Sequence, residues 1–171
     1  MQAIRVANEI GFIETQNYAR WGLAQAYLRQ NDLVQAQKFI IEAQAYDIPT
    51  TNHDISTLWG IIALRKGDLP SSREAFLRSI TQAEEILLQT PGFYDALDAK
   101  GLALCGLALV EDNSHIQIAK DTFKAARKVT SAMGIVKRTL RLFDELTKTD
   151  VEGILVEVRP YAEGTNKISD S

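Results

Sequence analysis

The stretch that decides the fold is residues 23–43, LAQAYLRQNDLVQAQKFIIEA, because its pattern returns 36 positions later as residues 59–79, WGIIALRKGDLPSSREAFLRS. In this shift Ala24 falls on Gly60, Ala36 on Ser72, Ile40 on Phe76 and Ala43 on Ser79. The turn Asn31-Asp32-Leu33 falls on Gly67-Asp68-Leu69. Small residues meet small residues. Within the first copy Leu33, Ala36, Phe39/Ile40 and Ala43 recur three and four apart, the spacing of one helix face. Two antiparallel helices joined by a short turn approach closely only where one of them lacks bulk, and large residues then fill the flanking holes. The unit of this chain is therefore a helix pair, and a period of this length marks a repeat architecture.

The same step taken backwards sets Ile4 and Ala7 under Ile40 and Ala43, so half a repeat opens the chain. Taken forwards it meets a third copy, Cys105-Gly106-x-x-Leu109 followed by Ala119-x3-Phe123-x2-Ala126, displaced by extra length in a long second helix and the linker Thr90-Pro91-Gly92. The only prolines are Pro49, Pro70, Pro91 and Pro160, and the stretches between them are rich in Ala, Leu, Gln, Glu and Arg, which is helix composition. The class is all-α. Helices are expected near 1–12, 16–30, 32–46, 53–66, 69–89, 93–110, 115–132 and 135–148. Asp32 and Asp68 should cap the second helices of their pairs, Pro70 belongs in a first turn, and Ser114-x-x-Gln117 has the form of a capping box. The domain then runs over 1–148. Over 149–162 a short helix ending before Pro160 is expected from the spacing of Val151, Ile154, Leu155 and Val158. The small, polar tail 163–171 is expected to be disordered.

With 171 residues, 46% of them hydrophobic and 24% charged, the chain has the composition of one well-cored globular unit. Nineteen Lys and Arg against 22 Asp and Glu give a net charge of −3, too balanced for a general nucleic-acid or membrane-surface binder. Cys105 is alone, which excludes a disulfide framework and a zinc cage, and no apolar run is long enough to span a membrane. No apolar segment of signal-peptide type follows Met1, so a cytoplasmic setting is expected.

The repeat resembles the tetratricopeptide repeat. Leu23-Ala24-x-x-Tyr27 followed by Ala36-x3-Ile40-x2-Ala43 matches that family's pattern of large, small and aromatic residues, then small, large and small. Trp59-Gly60-x-x-Ala63 followed by Ser72-x3-Phe76-x2-Ser79 matches in size but lacks the aromatic, and the third copy carries Leu109 there and one inserted residue. The resemblance covers roughly residues 3–126 and implies an α-solenoid of antiparallel helix pairs, with extra C-terminal helices here. The phrases Ala7-Asn8-Glu9-Ile10-Gly11 and Tyr94 to Cys105 look like the C-terminal repeat regions of bacterial signal-transduction ATPases of the NACHT and NB-ARC type. That likeness implies a repeat sensor or scaffold belonging to a larger signalling NTPase. A free-standing adaptor for a peptide is the alternative, and a DNA-binding regulator using the basic helix pair 123–146 is the third reading.

In the tetratricopeptide family the first helix of each pair lines a concave groove. The resemblance carries that role to Tyr18, Trp21, Gln25 and Leu28, to Asp54, Thr57, Ile61 and Leu64, and to Lys100, Ala103, Leu107 and Val110. The family's basic clamp for a peptide carboxylate is absent, since Trp21 and Gln25 stand where it needs Lys and Asn. What remains is an aromatic and aliphatic trough suited to a helix or an extended apolar peptide, including one from the same polypeptide. Self-association through the N-terminal edge, where Ile4 and Ile10 lack a preceding partner helix, is also expected.

Other chemistry is sparse. No phosphate loop of the Gly-x4-Gly-Lys-Ser/Thr form occurs, so neither nucleotide binding nor enzymatic activity is expected, and no cofactor or metal is implied. His53 and His115 lie far apart, and Cys105 occupies a packing position. Glu84 and Glu85 are adjacent on one helix, so their side chains diverge. Arg127, Lys128, Lys137, Arg138 and Arg141 form a basic cluster on the helix pair 123–146, but the connection is too long for a DNA-binding helix-turn-helix, and nucleic acid is not an expected partner. Arg138 is expected to be dispensable for both folding and partner binding.

Overall fold

The computed structural model describes residues 4, 5 and 11–165. Eight α-helices follow one another in these residues: α1 (Ile13–Arg29), α2 (Leu33–Gln44), α3 (Asn52–Arg65), α4 (Leu69–Gln89), α5 (Tyr94–Val110), α6 (Ile116–Val129), α7 (Met133–Thr147) and α8 (Arg159–Glu163). Two short 3-10 turns, Asn113–His115 and Ile154–Glu157, complete the path, and no strand occurs among the described residues. Of the opening helix expected over 1–12, residues 4, 5, 11 and 12 are described: Ile4 and Arg5 are helical and Ile4 packs against the core, whereas Gly11 and Phe12 lie outside any helix, and Ile10 lies outside the described residues, as does most of the tail after 163.

Two of the turns are the same structure set 36 residues apart. Asn31 and Gly67 both take the left-handed conformation, at φ +61° and +78°, and Asp32 and Asp68 share φ −85° and ψ 78°. The backbone bonds match one for one. Asn31 N–H donates to Leu28 and Gly67 N–H to Leu64, each at 2.9 Å, and Asp32 N–H donates to Tyr27 as Asp68 N–H does to Ala63, again at 2.9 Å. Each aspartate then accepts from the amide three residues on, Gln35 or Ser71, at 3.1 Å. Both expected caps are present. Left-handed backbone after a helix satisfies its last carbonyls, and the aspartate satisfies the first amides of the next helix.

Consecutive helices pack side by side from α1 through α6, and α3 also packs on α5. The small residues of the repeat serve these approaches. Phe76 is fully buried, and its ring lies against both Gly60 of α3 and Gly106 of α5. A Cβ at Gly60 would sit 2.5 Å from that ring, and one at Gly106 would sit 2.2 Å from it. Phe123 of α6 covers Gly101 in the same manner and meets Phe143 of α7 edge-on, with ring centroids 6.3 Å apart. Helix α5 is apolar around most of its circumference because it is enclosed by α3, α4, α6 and α7. Cys105 is buried in this helix, as its packing position implied, and burial pushes its thiol pKa up, away from reactivity.

Three local expectations are corrected. Ser114 does not cap α6: Asp112 accepts from Ser114 N–H at 2.8 Å and starts a 3-10 turn, while Gln117 donates to Asp121. Helix α6 ends at Val129, three residues earlier than expected. Pro160 opens a helix where it was expected to follow one: Gly153 turns the chain at φ +71°, a 3-10 turn carries Leu155 into the core, and Pro160 occupies the first turn of α8, where a missing N–H costs nothing.

Candidate interaction groove

Helix α7 does not continue the stack. After the short connection 130–132 it lies against α3 and α5. Its far end reaches the first turn of the repeat: Glu145 pairs with Arg65 at the end of α3, and the same guanidinium donates to Asn31 Oδ1 at 2.6 Å. In its middle, Arg138 pairs with Asp95, and Thr139 Oγ1 donates to Asp98 Oδ2 at 2.9 Å. The other oxygen of Asp98 takes Arg127 of α6; that pair is nearly inaccessible, each side chain being 6% exposed. Glu145 also accepts from Lys148 at 2.6 Å.

These contacts bring some of the expected groove residues together. Trp21 and Gln25 of α1, Asp54 of α3, and Asp95, Asp98 and Leu102 of α5 share the walls of a cavity of about 20 Å³ with Arg138, Thr139 and Leu142 of α7. Trp21 is half-buried and its indole Nε1 is enclosed without a hydrogen-bond partner. Tyr18 lies beside it, ring centroids 5.9 Å apart, and is half exposed. The remaining expected positions fall elsewhere. Leu28, Ile61, Leu64, Ala103 and Leu107 are core residues, and Val110 packs partly buried against them. Thr57 is buried too: its hydroxyl donates to the His53 carbonyl at 2.9 Å and lies 2.6 Å from that of Ser79. Lys100 reaches α4 and donates to Glu84 at 2.7 Å. Thus Tyr18, Trp21, Gln25 and Asp54 remain at or near a surface, and the other eight candidate positions do not line a trough.

Sequence reasoning passed over Asp95 and Asp98. Their spacing of three puts them on one face of α5, the available signal, but the pairing of Asp95 with Arg138, some forty positions away, depends on where α7 goes. Within the basic cluster Arg127 is internal, and Arg138 ties α7 to α5.

The electrostatics of this junction follow from three carboxylates and two guanidiniums in partly dry surroundings. Burial, then Asp95, push the carboxyl of Asp54 up to about 8 against the pull of Arg138, although 24% of the side chain still reaches solvent. Asp98 is also raised, by burial first, despite Arg127 and Thr139. Burial lowers Arg138, but Asp95 and Asp54 outweigh it and hold the guanidinium pKa above its ordinary value. Next to Asp54, His53 is fully buried; burial lowers it to about 4, with Asp95 opposing, and it is neutral near pH 7. Among the described residues no group of His, Cys, Asp and Glu is arranged to hold a metal ion, and no helix is long and apolar enough to cross a membrane. No protein-family model, curated protein or solved structure matches the chain.

Proposed function

We propose that the chain is a protein–protein interaction module of the tetratricopeptide kind, the repeat sensor or scaffold of a larger signalling NTPase, and that it binds a helical protein segment. The observation that supports this most is the seat of α7. Helices α3 and α5 pack against a helix of the same polypeptide, and Trp21 and Gln25 of α1 share a small cavity with it, an arrangement that supports a helix-binding surface edged with ion pairs. The two atom-for-atom turns 36 residues apart support the repeat reading. Beside α7, Phe12, Ile13 and Tyr18 at the start of α1 are exposed, which supports a partner surface there.

The test begins with the gene: the parent polypeptide should encode a phosphate loop ahead of this region. The nucleotide-binding part, made separately, should bind this chain and change its rate of ATP turnover when the chain is added. Trp21→Ala should weaken that binding by about 2 kcal/mol, near thirtyfold, as loss of an aromatic anchor does, while far-UV circular dichroism stays unchanged. Absence of binding to any nucleotide-binding part, or unfolding by Trp21→Ala, would overturn the proposal.

A further inference from the structure

The place where the repeat is broken builds a second cavity. In the 36-residue register the end of α2 at Gln44 corresponds to Ile80, yet α4 continues to Gln89, a 21-residue helix against 12 in α2. The overhang is about 13 Å at 1.5 Å per residue. Between this overhang and the loop that joins α2 to α3 lies a cavity of about 700 Å³. Glu85, Ile86 and Gln89 form one wall, Asp47 and Pro49 the other, and Phe93 at the start of α5 closes an end. Its size falls within the range of small-molecule sites, and it combines apolar surface with a few polar groups, as such sites do.

Its charge determines what fits. The titratable side chains that line it are both acidic, Asp47 and Glu85, and neither forms an ion pair with a described residue. Glu84, one residue before, is taken by Lys100, whereas Glu85 is exposed and has no hydrogen-bond partner among the described residues. Asp47 Oδ1 accepts from Asn52 at 2.7 Å, which fixes the loop and leaves its second oxygen free. Arg78 lines a separate, adjoining cavity of about 180 Å³ that shares Asp47 but not Glu85. An anion would meet two carboxylates here, and a neutral apolar molecule would strip water from them without compensation. A cation on an apolar stem satisfies both demands, with its charge at Glu85 and Asp47 and its stem against Ile86, Pro49 and Phe93, whose ring face also attracts cations.

We propose that this cavity is a binding site for a small organic cation, an ammonium or guanidinium carried on an apolar stem. The site is separate from the groove, so its ligand would act independently of the helical partner proposed above. The experiment is a titration of the full chain, by nuclear magnetic resonance, with phenethylammonium chloride, phenethyl alcohol and phenylacetate. Saturable shifts of the Ile86 methyl and Phe93 ring signals are expected, at least tenfold tighter for the ammonium than for the alcohol and absent for the carboxylate. Glu85→Gln, at an exposed position that the fold does not need, should weaken the ammonium at least fivefold and leave the alcohol unchanged. Equal binding of ammonium and alcohol, preference for the carboxylate, indifference to Glu85→Gln, or no saturation at millimolar concentration would each overturn the proposal.

Discussion

The contact between Gly60 and Phe76 shows how one missing side chain sets the distance between helices. Because Phe76 is fully buried and also pressed on Gly106, its ring has no direction in which to yield. Gly60→Ala would gain about 1 kcal/mol of helix propensity, but the added methyl would land 2.5 Å from the ring. Gly60→Leu cannot be accommodated without separating α3 from α4. We expect Gly60→Leu to cost about 1–3 kcal/mol, as overpacking does, and Phe76→Leu in the same chain to recover part of that loss. Urea unfolding of the two single variants and the double variant measures the coupling. Strict additivity would show that the ring and the glycine do not constrain each other. Asp98 and Arg127 illustrate the opposite regime. Buried ions are kept by their partners, and Arg127 still has Nε and Nη1 enclosed without an acceptor, so this pair holds orientation at a desolvation cost.

At the scale of elements, the two matching turns predict matching behaviour. Asp32→Ala and Asp68→Ala each remove one cap of the same geometry, and both positions are exposed, so the two variants should lower the melting temperature by similar amounts. Gly67→Ala should add strain that Asn31 in the equivalent place already tolerates, because asparagine is at ease in left-handed backbone and alanine is not. Thermal melts of the three variants decide this; unequal losses at Asp32 and Asp68 would mean that the turns carry different loads despite their shared geometry. The sequence made these elements legible because caps, turns and small residues act locally. It did not reveal where α7 goes. The periodicity of residues 133–147 specifies an amphipathic helix, but the short connection before it permits stacking on α6 or a return across α3 and α5, and distant groups such as Arg65, Asp95 and Asp98 decide between them. For the same reason the burial of the groove positions was not legible: Tyr18, Trp21, Gln25 and Asp54 lie at or near a surface, whereas Leu28, Ile61 and Leu64 are core residues, a difference that their own positions in the repeat do not reveal. Pro160 was misplaced because a proline signals a helix boundary equally well from either side.

For the whole molecule, the junction of α3, α5 and α7 makes stability depend on pH in a direction that can be worked out. Asp54 is raised from 3.8 to about 8 in the folded chain, so the folded state keeps a proton that the unfolded state has released. Its contribution to stability is complete below about pH 3.8 and is lost as pH rises through about 8. Asp98, also raised, acts with the same sign. His53 is lowered from 6.5 to about 4, so the unfolded state takes up a proton first, and stability falls as pH drops from about 6.5 through about 4. The two slopes oppose each other between about pH 4 and 6.5. Above that His53 is neutral in both states and Asp54 acts without opposition from it, so the chain should lose stability steadily from about pH 6.5 to pH 8. Asp54→Asn keeps the shape, cannot ionise, and leaves Asp95 to Arg138, so it should flatten this decline and make the variant the more stable chain at pH 8. Urea midpoints of both chains across this range provide the measurement. A decline of equal steepness in Asp54→Asn would place the responsible proton elsewhere and remove Asp54 from the account of how α7 is held.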